Sequence, residues 1–222
     1  MNELFVTSDG SHSLQSHTYG VSYHSRYGAI QETQHIFIDA GLRLKALGQS
    51  EIAILELGFG TGLNALMTLL EAQQRDLKVR YTTLEAYPIE PELAAQFNFL
   101  EQLGAEGLQD TFLELHRCPW STWVDLHSNF LFFKQQIQFQ DMDFEAEFDV
   151  VYFDAFAPGA QPELWETPMM EKVFRALKPG GVMTTYCAKG AVKRTLKSIG
   201  FELEALPGPP GKREMTRATK PE

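Results

Sequence analysis

Apolar and polar positions follow two rhythms along this chain. Short apolar runs at Ile52–Leu57, Lys78–Leu84, Phe132–Phe139, Phe148–Phe153 and Gly181–Tyr186 predict buried strands. Between them, apolar residues recur every three or four positions over Leu63–Gln74, Pro91–Leu103, Pro162–Leu177 and Ala191–Ile199, which predicts helices. Phe201–Leu206 and Arg213–Ala218 are expected to close the domain as an antiparallel pair. Upstream, residues 1–28 read as short strands and turns. Residues 29–47 read as an amphipathic helix that Gly48 ends. The stretch 104–131, with Phe112, Trp120, Trp123 and Phe130, falls outside the rhythm and is expected to be a helical insert. Strands alternating with helices predict an α/β, Rossmann-like fold. The expectation is a seven-stranded, mostly parallel sheet with helices on both faces and a small N-terminal β extension. The expected division is 1–48 as N-terminal strands and helix, and 49–222 as the main domain.

Composition narrows the classes. With 44% hydrophobic and 22% charged residues over 222 positions, the chain is an ordinary globular domain. It has no run of about 18 apolar residues, and its first residues do not form a secretory leader. Two distant cysteines, Cys118 and Cys187, are expected to be reduced thiols in a cytoplasmic protein. No Cys/His cluster has metal spacing. The net charge of −10 argues against a polyanionic partner, but its distribution changes that. Residues 171–222 carry eleven basic and five acidic side chains, a net of +6. The rest carries eight basic and twenty-four acidic ones, a net of −16. A basic last quarter on an acidic body can meet a polyanion locally.

The chemistry gathers just after the predicted strands, where open parallel sheets bind ligands. After the first strand runs Glu56-Leu57-Gly58-Phe59-Gly60-Thr61-Gly62. Its glycines are spaced GxGxG, which is neither the dinucleotide GxGxxG nor a phosphate loop with its lysine. Such a turn lets backbone approach a nucleoside closely without a phosphate anchor. Glu56 adds a negative charge suited to a cationic amino-acid ligand. Glu85, ending the second strand, can accept hydrogen bonds from ribose hydroxyls. Ribose, base, amino-acid tail and cation without phosphate describe S-adenosylmethionine. Asp154 ends the fourth strand within Tyr152-Phe153-Asp154-Ala155-Phe156-Ala157-Pro158. A carboxylate there can orient an amine and take up its proton beside a methyl donor.

With these residues the chain resembles the MnmC/MnmD-type methyltransferases that act on the wobble uridine of tRNA. The resemblance rests on Gly58-Phe59-Gly60-Thr61-Gly62-Leu63-Asn64, on Phe153 to Pro158, on Pro162-Glu163-Leu164-Trp165, on Lys178-Pro179-Gly180-Gly181 and on Gly211-Lys212-Arg213-Glu214-Met215. Tyr23-His24-Ser25 and Gln31-Glu32-Thr33 match less tightly. It implies a class I S-adenosylmethionine-dependent fold and methylation of the primary amine of 5-aminomethyl-2-thiouridine, with no flavin and no metal. By the same resemblance Glu56, Gly58, Phe59, Gly60, Gly62, Asn64, Glu85 and Asp141 would hold the cofactor, with Tyr23 and Glu32 nearby. Asp141 would face the adenine amino group and Asp154 the substrate amine. Phe156, Pro158, Lys189, Lys212 and Arg213 would meet the substrate or tRNA. In bifunctional members a flavin-dependent oxidase half follows. The present sequence stops soon after Met215, so a separate oxidase or another route is expected to prepare the substrate. Competing readings are an aminopropyltransferase of the polyamine type, a small-molecule amine methyltransferase and a non-catalytic RNA-binding module.

Overall fold

In the computed structural model, residues 3–17 and 19–222 are described; Met1, Asn2 and Thr18 of the N-terminal strand-and-turn segment lie outside them. Two short strands, β1 (Glu3–Val6) and β2 (His12–Gln15), pair antiparallel as a hairpin. Helix α1 (Ala29–Thr33) follows and continues without a break into a ten-residue π-helical stretch, Gln34–Arg43. The main sheet then begins with β3 (Glu51–Leu57), α2 (Leu63–Arg75) and β4 (Lys78–Leu84). Short helices α3 (Pro91–Ala94), α4 (Phe99–Leu103) and α5 (Gln109–Arg117) lead to β5 (Val124–His127) and β6 (Phe130–Gln135). The last part holds β7 (Phe148–Phe153), α6 (Thr167–Ala176), β8 (Leu177–Thr185), α7 (Gly190–Ile199), β9 (Glu202–Pro207) and β10 (Glu214–Thr219).

The sheet order is β5-β6-β4-β3-β7-β8-β10-β9. The five strands from β6 to β8 run parallel, while β5, β10 and β9 pair antiparallel at the two sides. The inner strands are apolar on both faces because helices cover both. Ile52, Ile54, Tyr81 and Phe132 pack with Phe37 and Leu66, and Leu55, Leu57, Val151 and Phe153 pack with Met170, Val173 and Leu196. Leu14, Ala29 and Ile36 join the first of these clusters, so hairpin and first helix share a core with the sheet.

Four expectations need correction. The sheet has eight strands, because part of the 104–131 stretch is itself a strand: β5 lies antiparallel on β6 as an edge. The third predicted strand ends at Gln135, and Phe139–Asp141 forms a 3₁₀ turn. The helix predicted over 91–103 is broken at Asn98, whose amide is used elsewhere: Oδ1 accepts from His12 N at 2.8 Å and Nδ2 donates to the Gly10 carbonyl at 2.9 Å. That pair fastens the hairpin turn to the body, and an amide so engaged interrupts a helix. The helix predicted over 162–177 is a 3₁₀ turn, Pro162–Trp165, followed by α6. Pro168 lacks an N–H and suits the first turn of α6 rather than the middle of a long helix.

Lys134 faces inward on β6 and is fully buried, in step with Phe130 and Phe132. Its ammonium donates to the carbonyls of Leu115 (3.0 Å) and His116 at the end of α5 and sits 4.6 Å from the Trp120 ring. A lysine thus satisfies two helix-end carbonyls that burial would otherwise leave without donors.

Candidate active site

The sheet order reverses at β3, with β4 on one side and β7 on the other, and the crevice beyond their C-terminal ends is where an open α/β sheet binds ligands. The glycine turn lies there between β3 and α2. Gly58, Gly60 and Gly62 all have positive φ, at 102°, 49° and 75°. At Gly58 the need for glycine is doubled, since an added Cβ would lie 2.8 Å from the backbone oxygen of Asp154. The Gly58 N–H donates to the Leu84 carbonyl (3.0 Å), and the Asp154 N–H donates to the Leu57 carbonyl (3.1 Å). Strand ends β4, β3 and β7 are thereby locked in register, which fixes Glu85, the turn and Asp154 relative to one another.

Glu85 is held by the backbone. Gly60 N–H donates to its Oε2 at 3.0 Å and Tyr87 N–H to its Oε1 at 2.8 Å. Desolvation raises its proton affinity, and these amides oppose the rise. Asp154 sits across the cleft. Asn64 Nδ2 donates to its Oδ2 at 2.9 Å, and Thr33 Oγ1 donates to Asn64 Oδ1 at the same distance. The threonine proton thus points the asparagine amide toward the acid. Asp154 borders the cleft yet is enclosed by protein, and burial, with Glu32 nearby, pushes its carboxyl up to about 7; Asn64 and Lys212 oppose that.

Glu56 lies beneath the turn and is wholly buried, with neither carboxylate oxygen in a hydrogen bond of good geometry. Thr83, Asn64 and Tyr81 are close enough to favour its anion, but burial dominates, with Asp154 adding to it, and the carboxyl is pushed up to about 8. Two orphaned buried oxygens ask for a cationic partner.

A concave cleft with aromatic and polar walls opens at this point, as small-molecule sites do. Of the residues singled out in the sequence, Tyr23, Gly58, Phe59, Gly60, Asn64, Glu85, Asp154 and Phe156 line it. Others lie elsewhere. Gly62 is buried against His116. Asp141 is exposed and outside the cleft wall, because the 3₁₀ turn presents Phe139 and Gln140 instead. Glu32 is buried in an ion pair with Lys212. Pro158 opens on a separate surface hollow with Trp165. Lys189, Lys212 and Arg213 line a shallow surface beside Tyr186 and Glu214.

On the aromatic side of the cleft, sequence reasoning named Tyr23 and Phe156 but passed over Tyr19 and Gln161. Tyr19 lies 4.8 Å from the Phe156 ring and Tyr23 meets it edge-on at 5.2 Å; Gln161 Nε2 donates to the Tyr19 hydroxyl. His24 is buried between the Ser13 hydroxyl (3.0 Å) and the Thr61 hydroxyl (3.4 Å), tying the hairpin to the glycine turn. The neighbouring Tyr23, His24 and Thr33 motifs were visible in sequence, but nothing local tells that the hairpin folds over the turn.

These buried groups set a pH dependence of stability. Asp154 and Glu56 have folded values near 7 and 8, above their ordinary 3.8 and 4.5, so the folded chain holds protons that the unfolded chain has released. Their contribution is full below about pH 4 and lost as pH rises through 7 to 8. His24 and His116 are pushed down by burial to about 4 and about 3, so their contribution is lost as pH falls below 6.5. The two effects oppose one another between pH 4 and 6.5, and only the carboxylates act above it. The ligand-free protein is expected to show a nearly flat thermal midpoint from pH 5 to 6.5 and a fall from 6.5 to 8.5, read by calorimetric melts; a rising midpoint above pH 6.5 would contradict the raised carboxyls.

Comparison with known proteins fits this geometry. A family model described as S-adenosyl-L-methionine-dependent methyltransferase matches residues 122–221. The solved structure of MNMC2 from Aquifex aeolicus superposes with a TM-score of 0.79 at 25% identity, covering all of this chain and 72% of that one. The chain has the α/β fold of the S-adenosyl-L-methionine-dependent methyltransferases. The chain is also 32% identical, over 96% of its length, to the tRNA 5-methylaminomethyl-2-thiouridine biosynthesis bifunctional protein MnmC of Aromatoleum aromaticum, covering 34% of that relative. Against the protein of the same name from Cupriavidus necator it is 30% identical over 90% of its length and covers 32% of the relative. The chain spans about a third of the length of these curated relatives. Among the described residues, no helix is long and apolar enough to cross a membrane.

The residues present suit the methyl donor of this fold. Glu85, anchored by two amides, matches a pair of ribose hydroxyls, whereas Glu56 is wholly buried beneath the turn and is not among the residues that line the cleft. The glycine backbone allows close approach, and among the described residues no lysine or arginine lines the cleft to call for a phosphate.

Proposed function

We propose that this methyltransferase N-methylates the aminomethyl group of 5-aminomethyl-2-thiouridine at the wobble position of tRNA. The observation that carries the reading is Asp154, an enclosed carboxylate with a raised proton affinity, oriented by Asn64 at the mouth of a nucleoside-type cleft. The curated relatives named for 5-methylaminomethyl-2-thiouridine biosynthesis support the choice of substrate.

S-adenosylmethionine, when bound, supplies an electrophilic methyl group on a sulfonium. Glu85, the backbone at Gly58 and Gly60, and the wall at Phe59 and Gln138–Gln140 are the groups proposed to hold it. The remaining task is to present a neutral amine. A primary alkyl amine is mostly an ammonium at neutral pH and has no lone pair to offer. Asp154 accepts one of its protons, and the freed nitrogen then carries the lone pair that attacks. The second proton, released once the nitrogen bears the methyl group, leaves to solvent. Phe156, with Tyr19 and Tyr23 packed on it, forms an aromatic wall on which an unstacked base can lie. Lys189, Lys212 and Arg213 supply the local basic surface that the acidic body otherwise lacks. The site of action is then the cytoplasm, and a separate oxidase or another route prepares the aminomethyl group.

Purified protein incubated with S-adenosylmethionine and tRNA carrying 5-aminomethyl-2-thiouridine is expected to yield 5-methylaminomethyl-2-thiouridine by nucleoside mass spectrometry. A protein that binds the cofactor but leaves this nucleoside unchanged would exclude the tRNA reading and favour a small-molecule amine.

A further inference from the structure

Lys212 stands at the boundary between the basic surface and the cleft. Its Nζ donates to Glu32 Oε1, and the same ammonium lies 4.0 Å from the centre of the Tyr186 ring. Glu32 is 7% exposed, and its other oxygen accepts from the Ser25 N–H at 2.8 Å. Tyr186 in turn donates its hydroxyl to the carbonyl of Ala155, the residue after Asp154. On the outer side, Lys189 and Arg213 are exposed, and Glu214 is paired with Lys193 at 2.9 Å. Lys212 therefore joins a surface able to take a phosphate to an ion pair within electrostatic reach of the proton acceptor.

We infer that Lys212 is a positioning residue that couples capture of an RNA phosphate to Asp154: a phosphate beside Lys189 and Arg213 draws the ammonium off Glu32 and leaves an uncompensated carboxylate facing Asp154. The inference rests on the tRNA reading above. Its consequence follows from the charges around Asp154. Glu32 on α1 is the anion near it and Lys212 the cation, while Glu56 on β3, pushed up to about 8, is mostly protonated at pH 7. The buried hydroxyls of Tyr186 and Tyr81 are pushed up and stay neutral, His24 beside Glu32 stays neutral at pH 7, and Asn64 is the neutral donor. Removing one cation from this set makes the cleft more negative, which strengthens its hold on a substrate ammonium and, at pH values where Asp154 is ionised, its tendency to take the substrate's proton. The pair also gives a role to a buried acid and a half-buried base, 180 residues apart in the chain, neither of which lines the cleft wall. A phosphate is a strong competitor for such a lysine because it offers several charged oxygens at the surface, while Glu32 keeps its Ser25 amide when the lysine leaves.

The test reads Asp154 directly and needs no turnover. Protein labelled with carboxyl-¹³C aspartate is titrated by NMR without cofactor, the Asp154 resonance being assigned from its loss in Asp154→Asn. Glu32→Gln is expected to lower the Asp154 midpoint, and Lys212→Met to raise it. A synthetic anticodon stem-loop added to the wild type at low salt is expected to raise the midpoint as Lys212→Met does, and to cause no further rise in that variant. Lys212→Arg should restore the response to RNA. A loss of structure lowers the midpoint toward that of a free aspartate in every variant, so the rise expected for Lys212→Met cannot come from unfolding, and circular dichroism makes the same distinction for Glu32→Gln. An unmoved midpoint in both charge variants, or RNA that binds by filter assay without shifting the wild-type midpoint, overturns the coupling. RNA that fails to bind the wild type at all overturns the tRNA reading itself, and the inference falls with it.

Discussion

Asp154→Asn is expected to keep S-adenosylmethionine bound and to lower methyl transfer by about 10²–10⁴-fold, the usual worth of a positioned proton acceptor. The substitution is isosteric, and the side-chain oxygen can still accept from Asn64 Nδ2, so the cleft keeps its shape. What disappears is the ability to take a proton from the substrate ammonium. The wild-type rate has a sign that follows from burial. With its carboxyl pushed up to about 7, Asp154 is protonated and inactive as an acceptor at pH 6 and ionised at pH 8, so kcat/KM rises with pH through that range. The asparagine variant loses the step centred near pH 7 along with most of the rate, and its residual rate climbs steadily with the fraction of free amine. Calorimetry with the cofactor and single-turnover methylation at several pH values measure the two halves separately. An equal loss of affinity and rate would place Asp154 in the cofactor site instead.

The legible part of the fold and the illegible part differ for physical reasons. The parallel core was readable because β3, β4 and β7 are buried on both faces and so appear as continuous apolar runs. The turn at Gly58 was readable because backbone geometry there admits only glycine. β5 was not, since an edge strand with alternating burial, Val124–His127, carries too little apolar signal to compete with the aromatic residues around it. The break at Asn98 was hidden for another reason: its amide is claimed by the backbone of Gly10 and His12, some 86 to 88 positions away, which no local pattern encodes.

The site divides in the same manner. Glu56, Glu85 and Asp154 stand at the ends of neighbouring parallel strands, and strand ends can be located from sequence, so all three could be placed there. Glu32 and Lys212 were each noticed but given to separate partners, because an ion pair that spans 180 residues has no trace in spacing. Asp141 was placed by counting past a strand that in fact ends four residues earlier than predicted, at Gln135 rather than Phe139. Lys134 is the converse case. Its period of two with Phe130 and Phe132 marks it as an inward residue, and only its charge argued for the surface.

A single methyl group at Gly58 tests the turn more severely than any charge change. Alanine at φ 102° leaves the region that L-residues reach readily, at a cost of about 1–2 kcal/mol or more. Its Cβ would also stand 2.8 Å from the Asp154 carbonyl oxygen and 3.3 Å from the carbonyl carbon, both backbone atoms that cannot rotate away. Relief requires the turn to rise into the cleft or the end of β7 to move outward. Either displacement separates Glu85, which is anchored to the Gly60 N–H, from Asp154, which is anchored to the Leu57 carbonyl. Gly58→Ala is therefore expected to remove measurable S-adenosylmethionine binding and to cut turnover by at least about 10²-fold, the scale set by misplacing reacting groups by around 1 Å. Gly159→Ala is the matched control: an added Cβ there meets no atom within 4 Å, so affinity and rate should stay near wild type. Circular dichroism separates a local change from unfolding. Near-normal cofactor affinity in a folded Gly58→Ala protein would mean that the cofactor does not lie on this turn, and the position proposed for Glu85 beside it would fail as well.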